Sequence, residues 1–266
     1  MCQICDGEPL ETIERLKIWC KIQKIPENLI NLKSLRWSYQ DYIIKIPNTF
    51  TNLLYLDLRE TMITEIPSEL IHLIDLTVNY CPKLKVIPDT FKDLEDLDCI
   101  GCKSLTYIGG TSTKLFKLNC SECPELLEIS DKFINIIELN CSECLKLQAL
   151  PPIFVELRTL VCSFCKSLES IPGACINLTY LMFYECPKII VLPDSFENLE
   201  ELGTNQVIKE LPQGLVKLKS IDCPTYLNTS MLPQTCKISF QESDTDFDGD
   251  FQQQKPTEFD YEGCIE

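Results

Sequence analysis

The sequence predicts an α/β-type repeat solenoid, a curved rod with a parallel β-sheet on its concave face and a mostly irregular, short-turn convex side. Three observations predict it. An apolar residue followed by proline recurs at Ile25-Pro26, Ile46-Pro47, Ile66-Pro67, Ile87-Pro88, Leu150-Pro151, Ile171-Pro172, Leu192-Pro193, Leu211-Pro212 and Leu232-Pro233. Two further turns keep the apolar residue and lose the proline, at Ile108-Gly109 and Ile129-Ser130, so that successive steps are 21, 20, 21, 21, 21, 21, 21, 21, 19 and 21 residues. Inside each step a second frame repeats, L-x-x-L-x-C-x-x-C-x-x-L-x-x-I, seen in LEDLDCIGCKSLTYI, LFKLNCSECPELLEI, IIELNCSECLKLQAL and LRTLVCSFCKSLESI. A fixed period of this length marks a stacked architecture and takes precedence over local propensity.

The elements of one turn follow from the frame. The L-x-L segment alternates, which is the pattern of a short strand with one buried face. The chain then turns, and proline fixes φ and removes a donor at the crossing, which suits a segment outside the sheet. A further x-x-F-x-x-L leads into the next turn, with Phe50, Phe91, Phe133, Phe154 and Phe196 at the aromatic site. One such layer cannot hide its apolar face alone, so each turn depends on its neighbours. The expected organisation is a lead-in at 1–12, a solenoid of ten to eleven turns with its caps at 13–233, a final capping strand within 234–240 and an acidic, disordered tail at 241–266.

The frame resembles the leucine-rich repeat family in its cysteine-bearing form, over residues 13 to 223. Two turns, with Thr61 and Gln206 where others have cysteine, run shorter and look like the family's asparagine-type spacing. The Ile/Lys/Asn-rich wording and turns such as CSECPELLEI also resemble repeat proteins of giant amoeba-infecting DNA viruses. The resemblance implies a binding scaffold without catalytic activity or cofactor. It also implies that Cys81, Cys102, Cys123, Cys144, Cys165 and Cys186 are buried and form a ladder with backbone groups of adjacent turns.

The 17 cysteines of the chain need weighing, because C-x-x-C at 99/102, 120/123, 141/144 and 162/165 is also a zinc pattern. The repeat explains them as small hydrophobes in interior columns. Zinc and disulfides remain the alternatives. Cys2, Cys5 and Cys20 lie outside that frame and lack a fourth ligand, the one histidine being His72. No phosphate loop or dinucleotide fingerprint is present. Asp244, Asp246, Asp248 and Gly249 start like a calcium loop, but its twelfth position is Lys255 where a glutamate is needed.

Composition narrows the partners. With 24 Lys+Arg against 40 Asp+Glu, a formal net charge of −16 argues against nucleic acid and against an anionic membrane surface. No apolar run has the length of a membrane span, and the N-terminus shows no signal peptide, so an intracellular, cytoplasmic location is expected, in the host cytoplasm if the source is viral. The expected binding surface is the concave strand face: Tyr55, Asp57, Arg59, Asp75, Asp96, Asp98, Lys117, Asn119, Glu138, Asn140, Tyr180, Met182 and Tyr184. Asp57, Asp75, Asp96 and Asp98 on adjacent turns suggest an acidic patch for a basic protein partner. Tyr180, Met182 and Tyr184 suggest an aromatic anchor. The chain is expected to be a monomeric protein-interaction scaffold. A substrate-recognition component of a ubiquitin-ligase assembly and a structural particle protein are the other readings.

Overall fold

The computed structural model describes residues 10–18, 24–42, 45–206 and 208–241. The lead-in cysteines Cys2 and Cys5, Cys20 and the calcium-like segment at 244–255 fall outside them. One parallel sheet of twelve strands runs the length of the described chain. Its strands are Arg15–Ile18 (β1), Ser34–Trp37 (β2), Tyr55–Asp57 (β3), Asp75–Thr77 (β4), Asp96–Asp98 (β6), Lys117–Asn119 (β8), Glu138–Asn140 (β10), Thr159–Val161 (β11), Tyr180–Met182 (β12), Glu201–Gly203 (β13), Ser220–Pro224 (β14) and Lys237–Gln241 (β15). Three two-residue strands, Val86–Ile87 (β5), Tyr107–Ile108 (β7) and Glu128–Ile129 (β9), make a second sheet on the return path. The molecule is a parallel-sheet β-solenoid. Its one helical segment among the described residues is the 3₁₀ turn Leu10–Thr12, so the returns are irregular and no α-helix contributes.

Register follows the repeat. Leu97, Leu118, Leu139, Leu160, Leu181 and Leu202 pair in succession. Each is at most 1% exposed. A one-residue slip would turn every strand leucine to solvent, which fixes the pairing. The aromatic column is equally interior, with Phe50, Phe91, Phe133, Phe154 and Phe196 at 0% exposure. Burying a side chain of this size contributes roughly 1.5–3 kcal/mol, and the interior of each turn is closed by the turns on either side.

The second sheet has a local cause. Gly109 and Ser130 replace the proline of other turns, and their N–H groups donate to Ile87 O at 2.9 Å and Ile108 O at 2.8 Å. At Pro88 and Pro151 that donor is missing, and the small sheet ends there.

The thiol ladder is regular. Cys102 Sγ donates to Val78 O at 3.1 Å, Cys123 to Cys99 O at 3.2 Å, and Cys144 to Cys120 O at 3.2 Å. Cys165 and Cys186 continue it, each at 3.0 Å, to Cys141 O and Cys162 O. Cys81 and Thr61 share Leu58 O, at 3.2 and 2.8 Å, so at the head of the ladder the Thr61 hydroxyl bonds within its own turn while the thiols bond the turn before. Buried carbonyls between the strands and the returns thereby gain donors that the sheet does not supply. In the shorter turn after β13 the arrangement changes. Gln206 is not a ladder donor there; Asn205 Oδ1 instead accepts from Glu185 N at 2.8 Å.

Just before the ladder residue, every turn from β2 to β12 in the large sheet bends through the left-handed region. Tyr39, Glu60, Tyr80, Gly101, Glu122, Glu143, Phe164 and Glu185 have φ between 53° and 68°. For a non-glycine residue this costs about 1–2 kcal/mol. It persists because the N–H at the bend donates to the next turn, as Glu122 does to Ser142 O and Glu143 to Ser163 O, both at 2.8 Å. Gly101 is the one glycine in the series, and the Tyr80 ring occupies the space its Cβ would need.

Candidate functional site

The open face of the large sheet consists of two rows of side chains set by the register. The first row runs Arg15, Ser34, Tyr55, Asp75, Asp96, Lys117, Glu138, Thr159, Tyr180, Glu201. The second runs Lys17, Arg36, Asp57, Thr77, Asp98, Asn119, Asn140, Val161, Met182, Gly203. The thirteen residues expected from the sequence lie in these rows or in the turns that follow them. Their environments divide them into groups with different chemistry.

Asp57 is already engaged in ion pairs. Arg36 Nε lies 2.9 Å from Asp57 Oδ2, Arg59 grips both carboxylate oxygens at 3.2 and 3.1 Å, and Ser38 Oγ donates at 3.3 Å. The acidic patch therefore begins one strand later than the sequence suggested. Asp75 and Asp96 are direct neighbours on β4 and β6, and Asp98 sits beyond Asp96 on the same face. Burial, followed by the Asp57 charge, raises the Asp75 carboxyl above its ordinary value. Asp96 is pushed up to about 6 by burial, with Asp75 and Asp98 adding to the effect and Lys117, 3.9 Å away, opposing it. Burial also raises Asp98. Its Oδ2 accepts from Asn79 at 2.9 Å, whereas Oδ1 is buried without a partner. Like charges side by side on adjacent strands destabilise a sheet. This triad is held against that repulsion by the packing beneath it.

Asn119 and Asn140 have a structural task. Asn119 Oδ1 accepts from Ser121 N and Oγ at 3.3 and 3.0 Å, and Asn140 Oδ1 from Ser142 N at 3.1 Å, so both carboxamides hold the bend that leaves the strand. Tyr55 and Glu138 are exposed. The aromatic cluster is less available than its composition suggested. Tyr184 reaches across two strands to Asp222, its hydroxyl donating to Oδ2 at 2.9 Å. Gly203 makes this reach feasible, because any Cβ there would collide with Met182 Sδ and the Tyr184 hydroxyl. Burial, then the Asp222 hydrogen bond, holds the Tyr184 phenol well above the ordinary tyrosine value. Tyr180 and Met182 are half-buried beside it.

The N-terminal end of the face is basic; Arg59 was expected there from the sequence, whereas Lys17 on β1 was not. Its signal was the alternation Leu16-x-Ile18 with Arg15 and Lys17 interleaved. Lys17, Arg36 and Arg59 surround a cavity of about 290 Å³ with Ser38, Gln40 and Asp57. The exposed aromatics Tyr39 and Tyr80 stand on the left-handed bends at the rim and were likewise not anticipated.

The thiols are spoken for inside the fold. Twelve of the described cysteines are buried and free, and Cys236 is half-buried and free. The neighbouring ladder thiol and burial together hold Cys99, Cys120, Cys141 and Cys162 well above the usual thiol range. Among the described residues, no group of three His, Cys, Asp or Glu side chains is placed to hold a metal ion. His72 is a surface residue whose Nδ1 lies 2.9 Å from Asp93. No described helix is long and apolar enough to cross a membrane.

No protein-family model matches the sequence, and a search of curated proteins finds no relative. The chain is similar to several solved structures. An internalin (inlF) of Listeria monocytogenes is 14% identical, with 88% of each chain covered and a TM-score of 0.49. The functional domain of InlJ from the same organism, described as including a cysteine ladder, is 18% identical over 82% of this chain and 69% of its own, with a TM-score of 0.38. A leucine-rich repeat protein of Leptospira interrogans is 18% identical over 83% and 82%, with a TM-score of 0.34.

Proposed function

We propose that this chain is a protein-interaction scaffold that receives a basic segment of its partner on the open face of the sheet. The observation that carries the reading is the triad Asp75, Asp96 and Asp98. All three carboxyls are raised by burial, and Asp98 Oδ1 has no donor. Lys117, 3.9 Å from Asp96, is the one cation in an ion pair with the three among the described residues, so an incoming lysine or arginine would relieve the repulsion that remains. The location that fits is a reducing compartment, because the ladder uses free thiols as donors.

The test is affinity capture with the native chain beside an Asp96→Asn, Asp98→Asn variant, washed at rising salt. A partner held by the native chain, released as salt rises and recovered at least tenfold less by the folded variant supports the reading, since each such contact is worth on the order of 1.5 kcal/mol or more. Equal recovery by both would move the interface off this face. Ubiquitin-ligase subunits among the captured proteins would add the receptor role.

A further inference from the structure

The cavity at the N-terminal end of the open face has the opposite character. In a chain with 24 cations against 40 anions, Lys17, Arg36 and Arg59 line one cavity in which Asp57 is the single carboxylate. Lys17 and Arg36 stand directly opposite each other on β1 and β2, an arrangement that destabilises a sheet unless an anion lies between them. Asp57 meets part of that demand. It engages Arg36 through Nε and Arg59 through a two-point contact, which leaves further guanidinium N–H groups and the Lys17 ammonium for another acceptor. Because Asp57 fixes both guanidinium groups, the donors are preorganised.

The cavity opens on the same face as the acidic triad, two to three strands away. Gln40 lines it with its Nε2 held by Ser38 O at 2.9 Å. An acidic side chain of a segment already lying over the triad therefore meets the remaining donors of Lys17 and Arg36 there. The volume of about 290 Å³ is small for a cofactor and suits one side chain with its flanking peptide unit.

We propose that this cavity receives an aspartate or glutamate of the partner, so that the bound segment is an extended peptide with an acidic residue in the cavity and a basic residue over Asp75, Asp96 and Asp98. The proposal rests on the open-face reading above and adds the composition and spacing of the ligand. From β2, at the centre of the cavity, to the gap between β4 and β6 is between two and three strand spacings, roughly 12 Å at ~4.8 Å each. An extended chain covers that distance in three or four residues at ~3.3 Å per residue. The face therefore reads an acid and a base three or four positions apart.

The experiment is selection of a random peptide library displayed on phage against three forms of the full chain: native, Lys17→Gln with Arg36→Gln, and Asp96→Asn with Asp98→Asn. Asp57 keeps Arg59 in the cavity variant, and Lys17→Gln alone, which breaks no described ion pair, serves if the double variant does not give a native melting curve. Peptides selected on the native chain are expected to pair an acid with a base at that spacing. The cavity variant is expected to bind them roughly tenfold more weakly and to select peptides that retain the base and lose the acid. The triad variant is expected to do the reverse. An unchanged acid frequency in the cavity-variant pool overturns the cavity assignment, and if the triad variant still loses the base, the open-face reading survives it. A native pool without charge pattern, or no selected peptide, overturns both.

Discussion

Asp96 shows how far a single residue's role can be read from sequence. The alternation of its strand placed it on the open face, and the structure puts it there beside Asp75. Its energetic state depends on neighbours one turn away on each side. With its folded value pushed up to about 6, the carboxylate form is disfavoured in the native chain relative to the unfolded one, where the ordinary value is near 3.8. The penalty is absent below the lower value, grows between the two and is fully present above about 6. Asp96→Asn is therefore expected to raise stability by about 1–2 kcal/mol at pH 7, after allowing for solvent screening of a partly exposed group, and by much less at pH 4. Urea midpoints at the two pH values measure this, and an equal gain at both would show that the carboxylate is not strained. Asp57 could not have been separated from this group by spacing alone, since its ion pairs come from Arg36 on the preceding strand and Arg59 two positions on. The contact between Tyr184 and Asp222, 38 residues apart, was equally hidden, because it depends on the missing side chain of Gly203.

Strands and columns were more legible than contacts, because each recurs at the period. The frame placed the strand leucines and strand cysteines inside, and the family resemblance implied the same for the ladder cysteines; that the phenylalanines are interior is a finding of the structure. It did not disclose the second sheet, although the signal was visible at Gly109 and Ser130: a restored N–H is also a restored sheet donor. The left-handed bends were less accessible still, since seven of the eight positions hold Tyr, Glu or Phe where conformational preference favours glycine. The ladder yields a test at this scale. Cys144→Ala removes the donor to Cys120 O and leaves a small void, and is expected to cost about 2–3 kcal/mol. Cys144→Thr keeps a donor in the column, where a threonine hydroxyl already sits at position 61, and is expected to cost less than half as much. If chemical denaturation finds the two variants equal, the thiol fills space and its hydrogen bond contributes nothing.

At the scale of the whole molecule, the period alone implied the solenoid, while the ends, having only one neighbour, gave the sequence no second copy to compare. That same one-dimensional construction governs how the rod opens. Each turn is stabilised by its intrinsic contacts and by the two interfaces it shares, so a terminal turn lacks one interface and a central turn lacks none. The buried thiols report this directly. Cys223 lies on β14, one strand from the end of the described sheet, whereas Cys123, Cys141, Cys144 and Cys165 have several turns on either side. A thiol that is fully buried reacts with an alkylating reagent only when its turn opens, and its rate then reports the free energy of that opening. Under native conditions with mild urea, alkylation read site by site by mass spectrometry is expected, among these buried thiols, to modify Cys223 first and the central four last, with Cys81 between them. A difference of about 3 kcal/mol in opening free energy separates the rates by more than a hundredfold. The central sites are also expected to react together, because the ladder joins Cys123 through Cys186 in one hydrogen-bonded column. Equal rates at Cys223 and Cys141 would mean that the rod opens as a single unit, with the ladder transmitting cooperativity to its ends, and the nearest-neighbour account of its stability would have to be given up.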